Sequence, residues 1–202
     1  MLSRVRWRCR KVPGGCGKLP RVADKGGLEA RALIAVEGGE WSGLLFDNPV
    51  VGLAPALTWT CSVPLAPVDG EPVALDLDWL PWVVADRRSM AGLEVSCGSF
   101  AEPAEASVYF RAHHRYDRVA VRVAEQRADR IRVVAAVSGD IDGLGPEEIA
   151  VDSWLSFGGI TVQLGGVSTG AAALARLADF TETAGLVEVG DPRGIAFRFR
   201  PG

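Results

Sequence analysis

Apolar and polar side chains alternate with a period of two over most of this chain, which restricts it to a fold dominated by half-buried strands. Leu57, Trp59, Cys61 and Val63 share one face, while Thr58, Thr60 and Ser62 share the other. Val73, Leu75, Leu77 and Trp79 repeat the pattern with Asp76 and Asp78 outward, and Pro81 stops it. Leu93, Val95 and Cys97 begin another strand. Val108 and Phe110, then Val119, Val121 and Val123, then Ile131, Val133, Ala135 and Val137 predict three consecutive antiparallel strands, with a hairpin loop over 125–129. Upstream, Ala30, Ala32, Ile34 and Val36 alternate toward Gly38-Gly39, and Trp41, Gly43 and Leu45 alternate after it, so these two runs are expected to form a hairpin.

Two helices are expected late in the chain. Pro146 followed by Glu147 and Glu148 makes a good first turn, because proline lacks a donor that is unused there and carboxylates favour the positive end of a helix; this helix is expected to reach about Leu155. The second starts at Ser168 or Thr169 as cap, carries an apolar stripe at Ala173, Leu174, Leu177 and Phe180, and ends at Gly185. Ile160, Val162 and Leu164 precede it as a strand, and Leu186 to Val189 with Ile195, Phe197 and Phe199 close the chain as a hairpin turned at 191–194. The predicted class is α+β: a predominantly antiparallel, sandwich-like sheet with two helices near the C-terminal third.

Charge divides the 202 residues unevenly. All three lysines (Lys11, Lys18, Lys25) lie in the first 25 residues, and with Arg4, Arg6, Arg8, Arg10 and Arg21 they face the single Asp24, giving about +7. The remaining 14 arginines oppose 24 carboxylates, about −10. Pro13, Gly14, Gly15, Gly17 and Pro20 make 1–25 a turn-rich basic arm or extension, followed by one globular domain over 26–202. No stretch reaches the roughly 18 uninterrupted apolar residues of a membrane span, and the charged N-terminus lacks the apolar core of a signal peptide, so a cytoplasmic protein with reduced thiols is expected. Cys61 and Cys97 are expected in the core.

Few motifs carry chemistry. Gly166-Val-Ser168-Thr-Gly170 matches a nucleophile elbow between a strand and a helix, but such a serine needs an imidazole to take its proton. The two histidines, His113 and His114, both lie upstream, and a helix entry capped by Ser168 or Thr169 is the preferred explanation of the glycines. Asp140-Ile-Asp142-Gly143 resembles a calcium loop in composition, yet with Gly143 in the sixth place Ile149 would stand where a bidentate glutamate is needed. Cys9 and Cys16 are too far apart for a common zinc knuckle and have no second pair nearby. Gly14-Gly15-Cys16-Gly17-Lys18 lacks the leading glycine and the Ser/Thr of a phosphate loop. No cofactor or metal is expected.

Two surfaces remain as binding candidates. Seven arginines between Arg111 and Arg132, including Arg118 and Arg122, stand among Tyr109, His113, His114 and Tyr116, a composition suited to phosphate or single-stranded nucleic acid, although Asp117, Glu125 and Asp129 are interleaved as ion-pair partners. Trp79 and Trp82, flanked by Asp76, Asp78 and Asp86, join aromatic anchors to an acidic surround that suits a basic protein. The leading expectation is a non-enzymatic cytosolic protein-binding module, of the kind an inhibitor or immunity-type protein represents. The alternatives are a serine-dependent hydrolase using Ser168 with His113 or His114, and a nucleic-acid binder acting through Arg4, Arg6, Arg8, Arg10, Lys11, Arg118 and Arg122.

Overall fold

The computed structural model describes residues 33–100, 102–143, 146–191 and 194–202; the basic arm expected over 1–25 lies outside them. Ten strands form one sheet: β1 (Gly39–Asn48), β2 (Leu53–Val68), β3 (Glu71–Leu80), β4 (Glu94–Cys97), β5 (Glu105–Phe110), β6 (Ala112–Arg127), β7 (Arg130–Asp140), β8 (Glu148–Gln163), β9 (Leu186–Val189) and β10 (Phe197–Pro201). Neighbours pair antiparallel from β1 to β2, β3, β5, β6, β7 and β8, and β8 then pairs parallel with β1, from Gly39 opposite Leu155 to Phe46 opposite Gln163. Seven strand positions therefore close into a ring, with no edge left between β1 and β8. Strands β4 and β5 lie end to end along β6: β5 pairs with 112–116 and β4 with 119–122.

The alternation read from the sequence sets the two faces of this ring. Trp41, Leu45, Trp59, Cys61, Val63, Leu75, Leu77, Val108, Val121, Val133 and Leu155 point inward and are buried, so the interior is filled with side chains. Cys61 and Cys97 are both buried free thiols, and burial pushes the Cys61 thiol far above its ordinary pKa, with the charge of Asp78 adding to the shift. Trp41 stacks at a tilt on Trp59 (5.4 Å between centroids) and on Phe157 (4.6 Å), and the Trp59 Nε1–H donates to the backbone oxygen of Trp82 at 2.9 Å.

Most predicted strands are present, and three expectations are corrected. Residues 148–155 form no helix; they are the first half of β8, where Ile149, Val151, Ser153, Leu155 and Phe157 are buried in alternation. The Pro146-Glu147-Glu148 start signal is local, whereas pairing of β8 with both β7 and β1 buries a whole apolar face, and that tertiary gain decides the conformation. One helix remains among the described residues, so the fold is mostly antiparallel sheet, and the ring of strands replaces the expected sandwich. The chain also does not turn back at Gly38-Gly39. Gly38 adopts φ of 102°, and residues 34–36 continue along β2, with the amide of Val36 bonded to the Pro64 carbonyl at 2.9 Å.

Helix α1 (Gly170–Leu177) is capped by Thr169, whose hydroxyl accepts the amide of Ala172 at 3.2 Å. Ala173 and Leu177 are buried, and Leu174 and Phe180 pack partly on the same core. The segment after α1 closes this end of the ring: the amide of Glu182 bonds the carbonyl of Ala85 at 2.7 Å, and Arg87 Nη1 donates to the Ala184 carbonyl at 3.2 Å. β9 and β10 form the expected terminal hairpin, which joins the sheet where Phe197, Arg198 and Phe199 pair with β8.

Candidate binding surface on the outer face of β1, β2, β3 and β5

The register places a row of polar side chains on the outside of four strands: Glu40, Ser62, Asp76 and Ser107 stand opposite one another in turn, and Asp78 faces Glu105. Ser62 donates to Asp76 at 2.7 Å and Thr60 to Asp78 at 3.0 Å. Among the described residues neither carboxylate, nor that of Glu105, forms an ion pair. Burial raises the pKa of Asp78, opposed by the Thr60 hydrogen bond and reinforced by Asp76. Burial also raises Glu105, reinforced by Asp78 and opposed by the charge of Arg115. Like charges directly across a strand pair repel, so this face holds negative charge at a cost.

Trp79 sits at the end of this face in an unusual conformation. Between the pairs Trp59–Leu80 and Cys61–Leu77, β3 carries one more residue than β2, a bulge in which Trp79 takes φ of 60°. The other described non-glycine residues with positive φ, Asp69, Arg111 and Ala128, sit in the turns joining β2 to β3, β5 to β6 and β6 to β7. Trp79 alone takes it inside a strand, and a bulky residue there costs roughly 1–3 kcal/mol. The bulge turns its indole outward, 36% exposed, onto the ring of Phe46 at 5.0 Å across β2. The same end of the molecule carries bare apolar groups: Val50 and Val51 on the 3-10 turn of Pro49–Val51, Leu53 after it, and Val83 beyond β3, with Val50 and Val83 each 93% exposed.

Of the other residues singled out in the sequence, Trp82 is buried and serves the core, its carbonyl accepting from Trp59, so it is not a surface anchor. The Asp86 carboxylate is occupied within its own loop by the amide of Arg88 at 2.8 Å. Glu105 escaped the sequence reading because only the β3–β5 register brings it beside Asp78. Sequence shows the strands, not which lie together.

Ser168 is exposed just before α1, at the end where the amide of Gly165 bonds Asp47 beside the β1–β2 connection. His113 and His114 lie next to the β5–β6 turn, which the Arg111–Asp69 ion pair ties to the β2–β3 connection. Strand β2 separates those two connections by 16 residues, roughly 50 Å of extended chain. The serine and the imidazoles are thus at opposite ends. His114 is buried with Nε2 3.2 Å from the Phe110 carbonyl, and His113 meets Tyr109 edge-on at 5.0 Å. In the arginine-rich stretch, Arg115 pairs with Asp142, Arg127 with Glu125, and Arg132 with both Glu125 and Asp152. Asp142, one member of the sequence that resembled a calcium loop, is thereby held below the usual carboxylate range by Arg115. Arg118 and Arg122 form no ion pair among the described residues.

No helix among the described residues is long and apolar enough to cross a membrane, and no group of three or more possible metal ligands is found among them. Comparison of the chain with protein-family models, with characterised proteins and with solved structures finds no match.

Proposed function

We propose that this chain is a non-enzymatic protein-binding module that captures a basic partner on the outer face of β1, β2, β3 and β5, with Trp79 as its aromatic anchor. The observation that carries this reading is the strained, outward-turned Trp79 beside Asp76, Asp78 and Glu105. A half-exposed tryptophan supplies large contact area at low entropic cost, and tryptophan is among the residues most enriched at binding hot spots. Asp76 and Asp78 accept hydroxyl hydrogen bonds and form no ion pair among the described residues, and Glu105 feels only Arg115, which is itself paired with Asp142, so a lysine or arginine from another protein relieves the repulsion between Asp78 and Glu105. The exposed valines at the same end extend the contact with apolar area. An inhibitor or immunity-type protein directed at a basic toxin or nuclease is the form of module this chemistry fits, acting in the cytoplasm.

Selection from a random displayed-peptide library against the full chain tests this reading. Peptides that pair Lys or Arg with an aromatic or aliphatic residue are expected to be enriched, and to release the Asp76→Asn/Asp78→Asn/Glu105→Gln variant. Enrichment of peptides without cations, or equal retention by that variant, contradicts it. Because the Asp78 and Glu105 pKa values are raised in the free protein, a bound cation lowers them and expels protons. Affinity for such a peptide therefore rises as pH increases from the acid carboxylate range toward neutrality; a flat profile contradicts the carboxylate role.

A further inference from the structure

We propose that two copies of this chain associate through the outer face of β4, β6, β7 and β8, about a two-fold axis running along β7. This face lies across the ring from the Trp79 surface, so the inference stands apart from the function proposed above. The register lines up small outward side chains straight across four strands: Ser96, Ala120, Ala136 and Ala150. They floor a shallow groove of about 720 Å³. On one side the next outward row is Arg118, Ser138 and Glu148; on the other it is Glu94, Arg122, Val134 and Asp152. Within these three rows both arginines stand on β6 and both acids that face them stand on β8, with Val134, Ala136 and Ser138 of β7 between them; the next outward residue of β7, Arg132, is already neutralised by Asp152 and Glu125.

Rotation by 180° about the β7 direction exchanges β6 and β8 while keeping each row at its own height. Ala136 then meets Ala136 of the second copy, Ala120 meets Ala150, Arg122 meets Asp152 and Arg118 meets Glu148. A face that is its own electrostatic complement under one rotation is what an isologous interface requires. Within one copy the basic and acidic strands are two positions apart, about 10 Å, and Arg118, Arg122, Glu94 and Glu148 make no ion pair or hydrogen bond among the described residues. Asp152 is already fixed by Arg132 at 2.6 and 2.7 Å and keeps acceptor capacity for a second arginine. The alanine floor lets two sheets approach without displacing large side chains. Sheets stacked face to face keep their strands within about 30° of each other, which preserves these pairings.

Four strands and three outward rows span roughly 400 Å² per copy from standard strand spacings, below the about 800 Å² per partner of a typical stable complex. The dimer is therefore reversible and salt-sensitive. Sedimentation velocity of the full chain across about 1 µM to 1 mM is expected to show a monomer–dimer equilibrium in the upper part of that range. Ala136→Arg, which sets two guanidinium groups against each other on the axis, is expected to remain monomeric throughout. Glu148→Arg is expected to weaken the dimer about tenfold, and the exchange Arg118→Glu/Glu148→Arg to restore most of the loss. All three positions lie on the outer surface, and far-UV circular dichroism verifies that each variant is folded. A wild-type monomer at every concentration, a dimer untouched by Ala136→Arg, or an exchange variant as weak as Glu148→Arg alone overturns the proposal.

Discussion

Trp79 holds its indole outside the barrel by a backbone conformation that glycine would adopt without strain. Replacing it with glycine removes the strain and also removes the packing on Phe46. These effects oppose each other, so Trp79→Gly is expected to leave the unfolding free energy within about 1 kcal/mol of wild type, as measured by urea denaturation. A strictly structural tryptophan would lose several times that. Asp78 gives a prediction of definite sign. A carboxylate whose pKa is raised on folding lowers stability above its folded pKa and ceases to do so as pH falls below it. Asp78→Asn, which keeps an acceptor for Thr60, is therefore expected to raise Tm at neutral pH, with a gain on the scale of a cross-strand pair, a few tenths to about 1 kcal/mol. The gain is expected to vanish at low pH, where Asp78 is protonated; a loss of Tm at neutral pH contradicts it. Arg87, at the closed end, is 1% exposed and stacks over Phe157 at 5.3 Å, with Nη1 bonded to Ala184. Its Nε and Nη2 make no hydrogen bond among the described residues, Asp129 lies 3.9 Å from Nε, and burial lowers its pKa. A buried, poorly paired cation is replaceable by an apolar side chain of similar length, so Arg87→Met is expected to stay within about 1 kcal/mol of wild type or exceed it; a loss beyond about 3 kcal/mol contradicts this account.

Strand β8 shows what is and is not legible in a sequence at the scale of an element. Its end was readable from Ile160 and Val162, but its first half carried a helix start signal, and the strand then runs through Gly158-Gly159, where the buried positions change from odd to even numbers. Gly159 explains the break. It adopts φ of 116°, and a Cβ there would collide with the carbonyl of Phe199, so the chain can change face only with glycine while β10 packs against it. Gly159→Ala is expected to cost roughly 1–3 kcal/mol or more and to free the β9–β10 hairpin selectively. Hydrogen exchange of the amides near Phe199 should accelerate, while those of β1 and β2 near Trp41 and Cys61 should not. Uniform acceleration would mean that β10 belongs to the same cooperative unit as the ring. The start of the helix at 170–177 was legible for the opposite reason, since its Thr169 cap and its alanines are local signals; its end was not, because the helix stops at Leu177 and not at Gly185, and the chain beyond it turns to bond the Ala85 carbonyl through the Glu182 amide.

At the scale of the whole molecule, the strand list was legible and the closure was not. Period two reports that a strand is half buried, and it carries no information on which strands are neighbours. The parallel pairing of β1 with β8 turns a sandwich-like list of strands into a ring, and the β3–β5 register adds Glu105 to the acidic face that Asp76 and Asp78 had suggested. The same closure moved Trp82 from surface anchor to core and sent Ser168 and the histidines to opposite ends. The division of charge between residues 1–25 and the rest was legible, as was the acidic run around Trp79; what was not legible is that the ring sets the acidic side chains of β3 and β5 on one face and the mixed charges of β6 and β8 across from it. The most direct measurement is calorimetric titration of one basic-aromatic peptide, taken from the library selection, into wild type and into Trp79→Gly under identical conditions. A tryptophan hot spot predicts a loss of at least about 2 kcal/mol, roughly thirtyfold in Kd, with the variant still folded. Unchanged affinity in the folded variant would contradict the binding surface itself.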